Sequence, residues 1–173
     1  MNELGARLAD GSLKALEAVT LAVEAMEDEP LFNAGRGSVL DAEGEVSMDA
    51  SIMRGHDKAA GAVIGVSRSR HPIRIAHHLL SQGWPVMLAG EAADAYGEAQ
   101  GVESVDSSWL KTDLRQAQWD KWRGQRLRPG ATDEDDALLD HDGESDGWGT
   151  VGAVALDRDG VLAAATSTGG MTG

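Results

Sequence analysis

The segment from Gly149 to Gly170 constrains this chain more than any other, because it reads as a hairpin whose first strand is apolar on both faces. Val151 to Leu156 forms the first arm, and Asp157-Arg158-Asp159-Gly160 a tight turn. Val161 to Ala165 is the second arm, and it runs into Thr166-Ser167-Thr168-Gly169-Gly170. A strand without a polar face needs cover on both sides, which places it inside a layered structure. Before it lies a polar, acidic linker without apolar period, at about 125–149. Thr150 stands at the junction. If the chain is cut between Gly149 and Thr150, that threonine carries both a hydroxyl and a free α-amine. The amine titrates near ~7.7–8.0 and serves as the hydroxyl's own general base. Position alone favours an ordinary β-branched residue opening a strand after a loop glycine, because Gly-Thr before a strand is common.

The remainder alternates helices and strands. Ser12 is placed to cap a helix running to about Asp28, followed by Pro30. Asn33-Ala34-Gly35-Arg36-Gly37 is a glycine-punctuated loop, and it lacks the third glycine that a dinucleotide-binding turn requires. Val39-Leu40, a turn over 41–44 and Val46 to Met53 read as a hairpin, with Val46, Met48, Ala50 and Ile52 alternating with Ser47, Asp49 and Ser51. Ala59 to Val66 is nearly continuous in apolar residues and reads as a strand covered on both faces. Helices follow at Pro72 to Leu80, Glu91 to Gln100 and Trp109 to about Gly124, with a short strand at Pro85 to Leu88. Strands with helices outside them predict a layered α/β (α+β) fold in one domain.

Composition narrows the function classes. A formal charge of −14, from 29 acidic and 15 basic residues, disfavours nucleic acid and anionic membranes as partners. An acidic surface suited to high salt and an ordinary acidic cytoplasmic protein fit that balance equally. The absence of cysteine excludes disulfides and thiol catalysis. No apolar run is long enough to span a bilayer, and no secretory signal is visible at the N-terminus, so cytoplasm is the default location. His77 and His78 are adjacent on a helix and point apart; His56, His71 and His141 have no partners at metal-ligand spacing. Asp133-Glu134-Asp135-Asp136 reads as a solvated run in the linker.

Four segments occur in order: Leu31-Phe32-Asn33-Ala34-Gly35, Met48-Asp49-Ala50-Ser51-Ile52-Met53, Gly149 to Asp157, and Ala165 to Thr172. Together they resemble the isoaspartyl peptidase/L-asparaginase family, the plant-type asparaginases among the N-terminal nucleophile hydrolases. The resemblance implies a partial αββα sandwich, in which two sheets pack face to face between helix layers. It also implies self-cleavage between Gly149 and Thr150, dividing the chain into an alpha-subunit-like segment (1–149) and the start of a beta-subunit-like segment (150–173). Thr150 would be the nucleophile and Thr168 the hydroxyl that orients it. Asn33 would lie in a loop near the active site. The backbone carbonyls of Met26, Glu27, Glu29, Phe32, Ala34 and Arg36 would hold a structural sodium ion. Arg36 and Arg54 depart from the family pattern, where an apolar and an acidic residue are usual. Substrates would be L-asparagine and β-aspartyl dipeptides, no organic cofactor is implied, and the assembly would be a dimer of alpha/beta heterodimers.

Measured against that family, the 173 residues lack an N-terminal strand with its His-Gly-Gly-Ala-Gly-type loop, a later Arg-Val-Gly-Asp motif for the substrate's charged groups, and a Thr-Gly pair for the oxyanion hole. The expectation is a precursor fragment, inactive alone. The alternatives are a threonine-type endopeptidase of the same superfamily and a non-enzymatic acidic α/β domain.

Overall fold

The computed structural model describes residues 2–127 and 149–173. Most of the expected linker, with Asp133 to Asp136 and His141, lies outside the described residues. In chain order the elements are α1 (Asn2–Asp10), α2 (Ala15–Glu27), a short 3-10 turn (Gly35–Gly37), β1 (Met48–Arg54), β2 (Ala60–Val66), α3 (Pro72–Gln82), β3 (Met87–Ala89), α4 (Gly90–Ala99), α5 (Ser107–Leu110), α6 (Asp113–Arg126), β4 (Val151–Leu156) and β5 (Leu162–Thr168).

The strands form one mixed sheet in the order β3-β2-β1-β5-β4. The β2–β3 pair is parallel and the other pairs are antiparallel. The alternation read in the sequence fixes the faces. Met48, Ala50 and Ile52 of β1 and Ala163, Ala165 and Ser167 of β5 point into the core. There they meet Ala15, Val19 and Val23 of α2 and Ile73, Ala76 and Leu79 of α3. This is the layered α+β arrangement expected, and it accounts for one sheet and its helices.

Among the described residues the sheet's other face is open, where two strands were expected to be covered on both sides. β4 is the edge strand of this sheet, with Val154 73% and Leu156 61% exposed, and β2 is covered on one face only, with Ile64 45% exposed. Apolar residues on both faces of a strand report a need for cover, and here the helices supply half of it.

Three local boundaries also differ, each for a reason that lies in a hydrogen bond. α2 begins at Ala15, because Asp157 Oδ2 in the distant β4–β5 turn accepts from the Ala15 amide at 3.0 Å, while the Ser12 hydroxyl donates to the Arg7 carbonyl. The helix read over 109–124 is two helices, because Thr112 Oγ1 accepts from the Arg115 amide at 3.3 Å and starts a new one. The first arm of the 39–53 hairpin is reduced to a single bridge, Leu40 to Val46. α1, which the sequence reading did not anticipate, packs against α2.

Candidate active site

The β4–β5 hairpin builds the site. Val151 pairs with Ser167, so the next row sets Thr150 beside Thr168 at the mouth of the hairpin. Their Oγ1 atoms are 2.8 Å apart, and Thr150 is exposed at the open face. Thr168 Oγ1 also accepts from the Gly170 amide at 3.2 Å. A hydroxyl that already accepts one amide and touches a second hydroxyl is held in a defined orientation.

Asn33 ties three segments to this pair. Its backbone amide donates to the Gly149 carbonyl at 3.3 Å, and its backbone carbonyl accepts from the Gly169 amide at 3.0 Å. Its side-chain Nδ2 donates to the Gly170 carbonyl at 2.7 Å, and Oδ1 accepts from the Val39 amide at 2.9 Å. Gly169 is required by this packing, since a Cβ there would sit 2.5 Å from both Asn33 Oδ1 and Ser38 Cβ. The residues singled out in the sequence as Gly149, Thr150, Thr168 and Asn33 therefore meet in one place, although Asn33 and Gly149 are 116 positions apart in the chain.

Beneath the site lies a carboxyl that sequence reading did not weigh for its side chain. Glu27, at the end of α2, is fully buried; its Oε1 accepts from the Ile73 amide at 3.2 Å, and its Oε2 has no hydrogen-bond partner among the described residues. Burial pushes the Glu27 carboxyl up to about 8, against the opposing pull of the Ile73 amide. Ser167 is the core-facing neighbour of Thr168. Nothing in the apolar periodicity of α2 marks Glu27 as buried.

The loop that carries Asn33 is braced from outside. Arg115, buried, donates through Nε to the Gly37 carbonyl at 2.5 Å. The guanidinium groups of Arg36 and Arg70 each lie 5.1 Å from the Trp109 ring centroid. Arg36, unusual by the family pattern, thus has an aromatic partner on α5. Within the loop, the Glu29, Phe32 and Gly37 amides donate to the Met26, Glu29 and Ala34 carbonyls. Arg54, the other departure, is at the far end of β1, where it forms a bidentate pair with Asp57 at 2.6 and 3.1 Å.

The described histidines serve other contacts. His71 Nε2 is 3.1 Å from Asp28 Oδ1, and His77 Nδ1 is 3.4 Å from Thr20 Oγ1 between α2 and α3. Burial holds His77 below the ordinary histidine range. No helix among the described residues is long and apolar enough to cross a membrane.

Comparison with known proteins shows the family. Residues 2–173 match the protein family described as Asparaginase. The chain is 44% identical to the isoaspartyl peptidase of Escherichia coli strain K12, over 98% of this chain and 51% of that protein. It is 41% identical to the isoaspartyl peptidase/L-asparaginase of Danio rerio, over 91% of this chain and 47% of the relative. The plant-type L-asparaginase of Thermococcus kodakarensis is 42% identical, over 91% and 51%. The chain thus spans about half the length of the curated relatives it matches.

Proposed function

This chain belongs to the asparaginase family, and we propose that it carries the nucleophile of a self-processing amidohydrolase acting on L-asparagine and β-aspartyl peptides. The observation that carries the reading is the 2.8 Å contact between the Thr150 and Thr168 hydroxyls, next to the Gly149 carbonyl held by the Asn33 amide.

In the processing step the Thr150 hydroxyl attacks the Gly149 carbonyl carbon. The Gly149–Thr150 C–N bond breaks, an ester to Thr150 Oγ1 forms, and the α-amine is released; water then hydrolyses the ester to the Gly149 carboxylate. No described atom lies within 4 Å of a would-be Cβ at Gly149, so the α-carbon next to the scissile bond is uncrowded. The Asn33 amide supports the oxyanion that forms on the Gly149 oxygen, a contribution worth ~10²–10³ in rate for a typical single donor. In hydrolysis the freed α-amine takes the Thr150 Oγ1 proton while that oxygen attacks the substrate's side-chain amide carbon. Ammonia, or the amine of a β-aspartyl peptide, leaves with that proton. Water cleaves the resulting acyl-threonine and restores the hydroxyl. Thr168 Oγ1 accepts the Thr150 O–H in the resting state and keeps the nucleophile aimed.

The carbonyls of Met26, Glu27, Glu29, Phe32, Ala34 and Arg36 are the proposed ligands of a structural sodium ion. Carbonyl oxygens suit a hard cation that takes oxygen ligands, and the bound ion would stiffen the loop carrying Asn33. The active assembly in this reading is a dimer of cleaved alpha/beta units.

Mass spectrometry of the protein as encoded tests the reading. The expected result is two fragments, the second beginning at Thr150, with ammonia release from asparagine appearing in step with cleavage. Thr150→Ala should abolish both, and Thr150→Ser should retain part of each. Ammonia release by the uncleaved Thr150→Ala protein at the wild-type rate would overturn it.

A further inference from the structure

The sheet is nearly free of charge, and its one acidic residue lies in the row of the threonine pair. Among the five strands only Asp49 and Arg54, both on β1, are charged. Asp49 pairs with Thr168 across the β1–β5 ladder, and Ser51 pairs with Thr166 one step along. The Ser51 and Thr166 hydroxyls touch at 3.0 Å on the open face, so Asp49 and Thr168, two residues further along each strand, share that face. Asp49, Thr168 and Thr150 therefore form one row across three strands.

A β-bulge fixes the carboxylate. Between the pairs Met48–Val66 and Ala50–Val63, β1 has one residue and β2 has two, Ile64 and Gly65. Gly65 adopts φ +67°, which glycine accepts freely, and its amide leaves the ladder to donate to Asp49 Oδ1 at 2.9 Å. Capping a bulge uses one carboxylate oxygen. Oδ2 takes no hydrogen bond from any described residue. A charge-neutral side chain would cap the bulge equally well, so the charge itself is surplus to that structural task.

Resting on the threonine mechanism above, we propose that Asp49 is a positioning residue for the nucleophile. Its negative charge draws the Thr168 O–H dipole toward β1, which leaves a Thr168 lone pair for the Thr150 hydroxyl. The same charge stabilises the positive charge that appears on the Thr150 α-amine as it takes the hydroxyl proton. Adjacent strands are ~4.8 Å apart, so the carboxylate acts on the amine over two strand spacings, through Thr168 and through space.

Other charged groups around this row are accounted for. Arg54 is at the opposite end of β1 and is paired with Asp57. Glu91 is in the first turn of α4, which packs on β2. Glu27 of α2 lies below the helix-covered face, where Arg74 and His77 of α3 pair with Glu24 and Glu17 of α2. Arg36 of the Asn33 loop is stacked on Trp109. All of them persist unchanged when Asp49 alone is altered.

The test is Asp49→Asn in the protein as encoded, read as the pH profile of kcat/KM for asparagine together with thermal stability. Asparagine keeps an oxygen acceptor for the Gly65 amide and removes the charge. The expected result is an unchanged melting temperature, a lower kcat, and an acid limb moved to lower pH by roughly half to one unit, as a charge two strand spacings (~10 Å) from an amine requires at intermediate dielectric. If the asparagine variant unfolds, Asp49→Ser, which also offers an acceptor, is read with the same expectation. An acid limb that stays in place, or a rise in KM alone, overturns the proposal. Loss of activity in Thr150→Ala with an Asp49→Asn profile identical to wild type refutes this inference and leaves the threonine mechanism standing; an active Thr150→Ala refutes both.

Discussion

Replacing Glu27 with glutamine should stabilise the protein increasingly as pH rises above the ordinary glutamate range, most of all at alkaline pH. The Glu27 carboxyl is fully buried, and burial pushes it up to about 8, with Glu24 and Asp28 adding to the rise. In the unfolded chain a glutamate releases its proton near ~4.3. Between these values the native state holds a proton that the unfolded state lacks, so the free energy of unfolding falls as pH rises, by about 1.4 kcal/mol per unit. The contribution is full below the unfolded value and is lost as pH climbs through about 8. From pH 5.5 to 8 the loss is roughly 3 kcal/mol, a large share of the ~5–15 kcal/mol that holds a domain folded. Glutamine keeps the shape of the neutral acid and an acceptor for the Ile73 amide, and it has no charge to desolvate. Urea unfolding followed by the fluorescence of the five tryptophans, at pH 5.5 and 8, measures this for both proteins. The stability difference in favour of Glu27→Gln should grow by about 3 kcal/mol between the two pH values. His77 titrates in both proteins and cancels in the difference. Equal pH slopes for the two proteins would refute the reasoning.

Gly169→Ala should slow cleavage before Thr150 without touching either threonine, because the new methyl meets Asn33 Oδ1 and Ser38 Cβ at 2.5 Å and overpacking costs ~1–3 kcal/mol; fragment appearance by mass spectrometry reads it, and a wild-type rate would show that Asn33 need not be held. Asp157→Ala should lower the urea midpoint at neutral pH, since Asp157 accepts from the amides of Ala15, Asp159 and Val161. Those amides, the Ala15 amide foremost, hold its carboxyl below the usual range, so the deficit should shrink as pH falls through that range.

Much of this architecture was legible in the sequence because it depends on neighbours along the chain. The period of two from Val46 to Ile52, the Asp157 to Gly160 turn and the punctuation of α3 by Pro72 and Gly83 each set a local conformation, and the structure keeps them. Position before a strand and the four family segments together drew attention to Thr150, Thr168 and Asn33. What the sequence could not carry was anything fixed by groups remote in the chain. The start of α2 depends on Asp157, 142 residues away, and the burial of Glu27 depends on how α2 lies across β5. The split of α5 from α6 is local, but a Thr112 cap is silent until the chain turns there. Asp49 alternates with core residues like any outward-facing side chain; only the pairing of β1 with β5, and the bulge opposite it, put its carboxylate in line with Thr168 and Thr150. Local hydrogen bonding and side-chain period are written into short stretches of sequence, whereas strand order, register and burial come from the packing of the whole chain, and it was that packing which brought the threonines, the amide of Asn33 and Asp49 close together.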